Sequence, residues 1–171
     1  MKKILTTFLL IIGLSLFAQT NSFAQQHGPT KLGAAIVYGS EVETAGIQLG
    51  ATFRVSPQFA IAPDIGIYFP DDDDTPRFID SFFTINLNGH YIFEADDDYH
   101  IYALGGLNVS TIGFDSNDDA FDDDSESELG LNFGLGGEYH LDNLSLFSEL
   151  KYIVSDFDQV VLAAGVRFPL N

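Results

Sequence analysis

Between residues 45 and 55 the chain alternates without a break. Ile47, Leu49, Ala51, Phe53 and Val55 share one parity, and Gly46, Gln48, Gly50, Thr52 and Arg54 share the other. A two-residue period belongs to a β-strand, because successive side chains leave opposite faces of a sheet. Seven further stretches have the same character, so the pattern predicts strands at 31–39, 45–55, 59–69, 81–93, 99–110, 128–141, 144–154 and 159–170. Eight alternating segments separated by turn residues form the pattern of an all-β fold, an eight-stranded antiparallel up-and-down transmembrane β-barrel.

The connectors give the barrel a direction. Ser56-Pro57-Gln58, Glu94 to Asp98 and Asp142-Asn143 are short, and segments 70–80 and 110–127 are long. Ser40 to Thr44 and Ser155 to Asp158, on the long-loop side, are also short. In outer-membrane barrels the short turns face the periplasm and the long loops face outward. The tight turn at Asp142-Asn143 also sets a register, because it pairs Leu141 with Leu144. The face of Gly134, Gly136, Glu138 and His140 then continues as Ser145, Phe147, Glu149 and Lys151, and Leu131, Phe133, Leu135 and Tyr139 continue as Leu144, Leu146, Leu150 and Tyr152. The fourth segment divides in the same way, with Phe83, Ile85, Leu87, Tyr91 and Phe93 against Thr84, Asn86, Asn88 and His90. In the eighth, Val160, Leu162, Val166, Phe168 and Leu170 oppose Ala163, Gly165 and Arg167.

Alternation alone does not say which face is outside. A soluble lipocalin-like barrel turns its apolar face inward around an apolar ligand. Two features favour the membrane barrel. The polar face is rich in Gly, Ala, Ser, Thr and Asn, which suit a narrow interior, whereas a water-facing surface carries far more Lys and Glu. Tyr38, Phe69, Phe83, Tyr91, Phe93, Tyr99, Tyr139, Tyr152 and Phe168 lie on the apolar face near strand ends, where interfacial aromatic girdles sit.

The N-terminus explains how such a chain leaves the cytoplasm. Lys2 and Lys3 precede an apolar run from Ile4 to Phe17 and a polar stretch ending Ser22-Phe23-Ala24 before Gln25. That order is a secretory signal peptide, and the run is shorter than a membrane-spanning helix needs. The expected organisation is a cleavable signal peptide at 1–24, an N-terminal tail at 25–30 and a barrel domain at 31–171, with cleavage after Ala18 as the alternative. Removing the leader leaves five Lys and Arg against 25 Asp and Glu, a net charge of −20, which excludes nucleic acid as a partner. The sequence contains no cysteine, so neither disulfides nor a lipid-anchored cysteine enters the argument.

The chain resembles the small eight-stranded outer-membrane β-barrel family of the OmpA transmembrane domain and the OmpX-like proteins. Gly165, Phe168 and Leu170 match the spacing of the C-terminal strand signal that the barrel-assembly machinery reads in that family, although Asn171 replaces the usual terminal aromatic. The Ser-Phe-Ala-Gln leader ending resembles exports of Bacteroidota type. The resemblance implies the bacterial outer membrane, a barrel-only member, and assembly-machinery contact during biogenesis. It also implies a monomer among outer-membrane lipids and lipopolysaccharide.

Candidate chemistry falls into three groups. On the lumen face, Arg54, Lys151 and Arg167 oppose Asp64, Glu138 and Glu149. Charges in a narrow interior persist only when paired, so these six are read as a salt-bridge plug, with Glu149 and Lys151 as one pair. The alternative is a narrow ion or small-solute channel gated by re-pairing. His90, His100 and His140 point inward near the periplasmic ends, with Glu138 opposite His100, and form the candidate metal set. Their other role is hydrogen bonding within the plug. The third group is acidic and lies in loops: Asp71, Asp72, Asp73 and Asp74, then Asp115, Asp118, Asp119, Asp122, Asp123, Asp124, Glu126 and Glu128. Such runs are solvated and self-repelling. The alternative is weak Ca²⁺ or Mg²⁺ binding that bridges to lipopolysaccharide phosphates, without the glycine and terminal glutamate of an EF-hand loop.

No enzyme is expected. Lipid A deacylases and palmitoyl transferases of similar architecture place a His with a Ser near the outer leaflet, whereas the strand histidines here lie at the other end and His27 lies in the tail. The expected function is a non-enzymatic envelope role, structural or adhesive, with acidic loops facing the environment. No cofactor is expected.

Overall fold

In a computed structural model, residues 29–69, 79–96, 98–114, 125–156 and 158–170 are described. They form eight antiparallel strands: β1 (Lys31–Gly39), β2 (Thr44–Arg54), β3 (Phe59–Tyr68), β4 (Ile79–Ala95), β5 (Tyr99–Phe114), β6 (Ser125–His140), β7 (Ser145–Val154) and β8 (Gln159–Pro169). Each strand pairs with its sequence neighbour, and β1 pairs with β8, so the sheet closes. Closure satisfies every edge, which lipid requires because it offers the backbone no hydrogen-bond partner.

The predicted register at the β6–β7 turn is present. His140 faces Ser145, Glu138 faces Phe147, Gly136 faces Glu149 and Gly134 faces Lys151. The Leu141 amide donates to the Leu144 carbonyl at 2.8 Å. Strands β4, β5 and β6 run further than the alternation suggests, as Thr111 still pairs with Ser127 and Gly113 with Ser125. Their hydroxyl and acidic residues carry no hydrophobic period there, yet the backbone ladder continues beyond the apolar belt, with Thr111 and Ser127 hydroxyls 3.0 Å apart.

One ladder is interrupted. Between β2 and β3 the pairing passes from Gly50↔Asp64 to Phe53↔Ile61, skipping Ala51 and Thr52 opposite Ala62 and Pro63. Proline lacks the amide that a ladder needs, and it is tolerated where pairing is already broken.

The apolar face points outward. Ile36 (70%), Leu135 (58%), Leu150 (55%) and Leu162 (53%) are among many large apolar side chains exposed on the outer wall, while Asn88, Asn132, Glu149 and Lys151 are buried inside. This orientation overturns the lipocalin-like alternative, because a soluble barrel would not expose most of its large apolar side chains while burying Asn86, Asn88, Asn132, Glu138, Glu149, Lys151 and Arg167. Aromatic rings flank the belt at both rims. Phe59 packs on Tyr91 with centroids 5.1 Å apart at the short-turn rim. The Tyr99 hydroxyl there donates to Glu94 at 3.0 Å, and at the opposite rim the Tyr152 hydroxyl donates to Asp158 at 3.0 Å. An amphipathic tyrosine tethered to a carboxylate suits the boundary between hydrocarbon and water.

This geometry predicts an asymmetry between faces. Arginine near the hydrocarbon midplane of such a barrel costs about 2–4 kcal/mol. Leu135→Arg should lose that much stability in denaturant titrations of the barrel folded in lipid vesicles, and Leu135→Ala should lose much less. Equal losses would contradict an outward Leu135.

Candidate functional site

The lumen is built in layers, each set by residues of inward parity. Nearest the long-loop rim, Val37, Tyr68, Phe82, Ile112, Ile153 and Val161 form an apolar cluster. Tyr68 and Phe82 meet edge-on, with centroids 5.1 Å apart. The β1–β2 connection contributes to it: Glu43 adopts a left-handed φ of 46°, and the neighbouring Val42 is buried in the cluster. The inward parity of these residues was legible in the sequence, but their apolar character ran against a polar lumen, so the layer was not anticipated.

Below the cluster lies an amide ladder. Asn86 and Asn88 donate to the two carboxylate oxygens of Asp64 at 2.7 and 3.0 Å. Asn108 donates to Asn86 at 2.8 Å, and Asn132 donates to Asn86 at 2.9 Å and to Asn88 at 2.8 Å. Ser110 donates to Asn108 at 2.8 Å. Four strands are cross-linked through short side chains, which lose little rotamer entropy on ordering. The sequence placed Asn86 and Asn88 inward but did not show that they bind Asp64.

The third layer is the charge network. Arg167 donates from one guanidinium nitrogen to Glu138 at 2.7 Å and from the other to Glu149 at 2.6 Å. The Tyr102 hydroxyl donates to Glu149 at 2.6 Å and accepts from Arg167 at 3.2 Å. The Tyr102 ring stacks on His90, with centroids 4.3 Å apart and planes 13° apart, and Arg167 sits 3.9 Å above the Phe147 ring. Tyr102 is paired across the ladder with Gly136, and a Cβ at Gly136 would come within 2.5 Å of its ring. Only glycine leaves room for a tyrosine laid across so narrow a lumen.

Five of the six predicted network residues join ion pairs, but in a different arrangement. Lys151 lies 3.9 Å from Asp64, and the partner of Glu149 is Arg167. The expected Glu149–Lys151 pair is therefore replaced. Both residues sit two apart on one strand, side by side along the wall, whereas partners on other strands meet head-on across the interior. Arg54 lies at the short-turn end, half-buried, with no carboxylate partner among the described residues. Lys31, which the six expected residues do not include, is the second cation on Glu138 and donates to Ser145 at 3.2 Å. Its location on the first inward position of β1 was a signal that parity alone could have supplied.

The histidines divide. His100 and His140 form a ring-nitrogen contact of 3.0 Å, and each lies 3.6 Å from Glu138. His90 belongs to the Tyr102 stack, 4.0 Å from Glu149. The candidate zinc set of His90, His100 and His140 thus does not converge, and no group of three His, Asp or Glu among the described residues is arranged to hold a metal. His140 also meets the Ser145 hydroxyl at 3.1 Å, its cross-strand partner in the register that the Asp142-Asn143 turn sets. Asp71 to Asp74 and Asp115 to Asp124, the acidic positions considered for Ca²⁺ or Mg²⁺, lie outside the described residues, as does the signal peptide.

The network's branching predicts an order of effects. Removing Arg167 leaves Glu149 without its cation in a dry interior, so Arg167→Met should cost roughly 3–5 kcal/mol of folding stability. Lys31→Met should cost clearly less, because Glu138 keeps Arg167 and Lys31 is partly solvated. Glu149→Gln should add less damage in the Arg167→Met background than alone, read by denaturant midpoints in vesicles. Additive losses would show that the two side chains act independently.

The comparisons with known proteins agree with this geometry. The family model described as Outer membrane protein beta-barrel domain matches residues 6–170. No curated protein matches the chain in sequence. The N-terminal β-barrel domain of Pseudomonas aeruginosa OprF is similar, with a TM-score of 0.63 and 17% identity, covering 85% of this chain and 98% of that one. Neisserial surface protein A gives a TM-score of 0.62 and 19% identity, over 82% of this chain and 96% of its own. Ail, the attachment invasion locus protein of Yersinia pestis, gives 0.58 and 16%, over 83% and 97%. Identities this low speak for the fold, and the family match carries the classification. With a closed eight-stranded sheet, an apolar outer wall and a filled polar lumen, this chain belongs to the outer-membrane protein β-barrel domain family and is a protein of the bacterial outer membrane.

Proposed function

We infer that the protein is a non-enzymatic envelope element, a rigid plugged barrel that holds acidic loops at the cell surface for a structural or adhesive role. The observation that carries this reading is the lumen itself, in which apolar cluster, amide ladder and charge network follow one another. Each layer is a barrier of a different kind. Tyr102 and Lys151 are 0% and 2% exposed, so the middle of the barrel has no continuous water column along those side chains. A narrow channel is the second reading, for which the observation is a cavity of about 170 Å³ at the short-turn end lined by Lys31, Arg54 and His90 among others.

The non-enzymatic part of the reading has a specific support. The Ser145–His140 contact pairs a serine hydroxyl with an imidazole, yet Ser145 is buried and also engaged by Lys31. A nucleophile needs an approachable hydroxyl, which this one lacks.

Adhesion is favoured by the position of the loops, and charge constrains the partner. Ail has been seen in complex with the heparin analogue sucrose octasulfate. The loops here carry the bulk of 25 acidic side chains, so a polyanion of that kind is disfavoured and a cationic or cation-bridged surface is favoured. Contact with lipopolysaccharide through Ca²⁺ or Mg²⁺ at Asp71 to Asp74 and Asp118 to Asp124 belongs to the same proposal, as does cleavage of residues 1–24 on export.

Two measurements test the reading. Planar bilayers containing the purified barrel should show no discrete conductance steps, and reproducible steps would favour the channel. With Cys introduced at Glu41 or Asp142, both exposed at opposite rims, a membrane-impermeant maleimide should label intact cells only through Glu41→Cys. Labelling through Asp142→Cys alone would invert the barrel.

A further inference from the structure

The short-turn mouth of the lumen opens into a cavity of about 170 Å³, lined by Lys31, Thr52, Arg54, His90, His100 and Glu138 among others. Its charge is opposite to that of the chain. Of the seven Lys and Arg in the sequence, Lys31, Arg54, Lys151 and Arg167 lie on the lumen face, against three lumen acids, Asp64, Glu138 and Glu149. Lys151 is taken by Asp64, and Arg167 by both glutamates. Glu138 is shared between Arg167 and Lys31. The unmatched cation is Arg54, which lines this cavity without an ion-pair partner among the described residues.

A half-buried guanidinium is retained at low cost only where an oxyanion or water can meet its fork of donors. We propose that this cavity is a binding site for a small phosphate-type oxyanion from the aqueous phase at the short-turn face, with Arg54 as its principal donor. Arg54 supplies two parallel N–H donors, Thr52 a hydroxyl and Lys31 residual positive charge. Thr52 and Lys31 face each other in the β1–β2 ladder, and Arg54 is two residues further along the same inward face, so the three donors share one corner of the mouth. Of the other polar side chains there, His100 is tied to His140 and faces Glu138, His90 stacks on Tyr102, and the Glu138 charge is taken up by Arg167 and Lys31. The turns at this rim carry exposed Glu94, Asp96, Asp98 and Asp142. Their field opposes anions at long range, so the site holds its ligand by direct contact and not by steering. This assignment is independent of the surface role of the loops and of whether the lumen conducts.

Titration calorimetry of the refolded barrel in maltoside micelles at low ionic strength tests it, with inorganic phosphate as the probe. Saturable binding with one site per barrel is expected, weakened roughly tenfold or more in Arg54→Gln, as loss of a charge-assisted hydrogen bond implies. Arg54→Lys should recover part of the affinity, and unboiled gel mobility confirms that each variant is folded. Absence of saturable binding overturns the proposal, as does equal binding by folded Arg54→Gln. Short-chain dihexanoyl phosphatidate is the second arm: binding of both probes supports a site that recognises the phosphate group. Binding of phosphatidate without inorganic phosphate would assign the mouth to a membrane lipid and overturn the aqueous ligand.

Discussion

The pairing of β1 with β8 is the contact on which the remaining structure depends. Lys31 to Gly39 run against Val161 to Pro169, and this seam turns a meander with two open edges into a closed wall. Without it, the first and last strands would carry rows of unpaired amides into hydrocarbon, at several kcal/mol for each group left unsatisfied. Closure at eight strands also determines the interior width, which is just enough for side chains to meet across it. Every feature of the lumen follows from that width. Arg167 on β8 reaches Glu138 on β6 and Glu149 on β7, Tyr102 on β5 reaches Glu149, and Lys151 on β7 lies beside Asp64 on β3.

The layers of the interior have different energetic characters. The apolar cluster near the long-loop rim excludes water by ordinary burial. The amide ladder stabilises through side-chain hydrogen bonds that end on the Asp64 carboxylate in a low-dielectric space, where each bond made is strong and each one broken is costly. The charge network depends most on completeness, since Glu149 has Arg167 as its cation and Glu138 divides its charge between Arg167 and Lys31. Glycine at 136 is a spatial requirement of that layer, because the Tyr102 ring occupies the volume that any Cβ would need.

Function follows from where the barrel is sealed and where it is not. Tyr102, Glu149 and Lys151 are buried across the middle of the barrel, and the two ends are where it meets water. At the long-loop end the sequence concentrates negative charge. At the short-turn end an acidic rim of Glu94, Asp96, Asp98 and Asp142 surrounds a cavity into which Lys31 and Arg54 bring cations beside Glu138.

The period of two determined the eight strands, because alternation is a property of neighbours along the chain and needs no tertiary information. The tight turn at Asp142-Asn143 likewise determined the β6–β7 register, and parity determined that Arg54, Asp64, Glu138, Glu149, Lys151 and Arg167 share the interior. Partner choice was not legible. Which carboxylate meets which cation depends on the stagger between strands around the closed wall, and that stagger sent Lys151 to Asp64 and gave Glu149 to Arg167. The extension of β4 to β6 past their alternating cores, the entry of Val42 into the lumen and the parting of His90 from His100 and His140 were likewise decided in three dimensions. The sequence by itself determined the faces of the sheet, a local matter of side-chain parity. Only the tertiary structure decided the contacts across the lumen, because closure and stagger bring together residues that the chain keeps far apart.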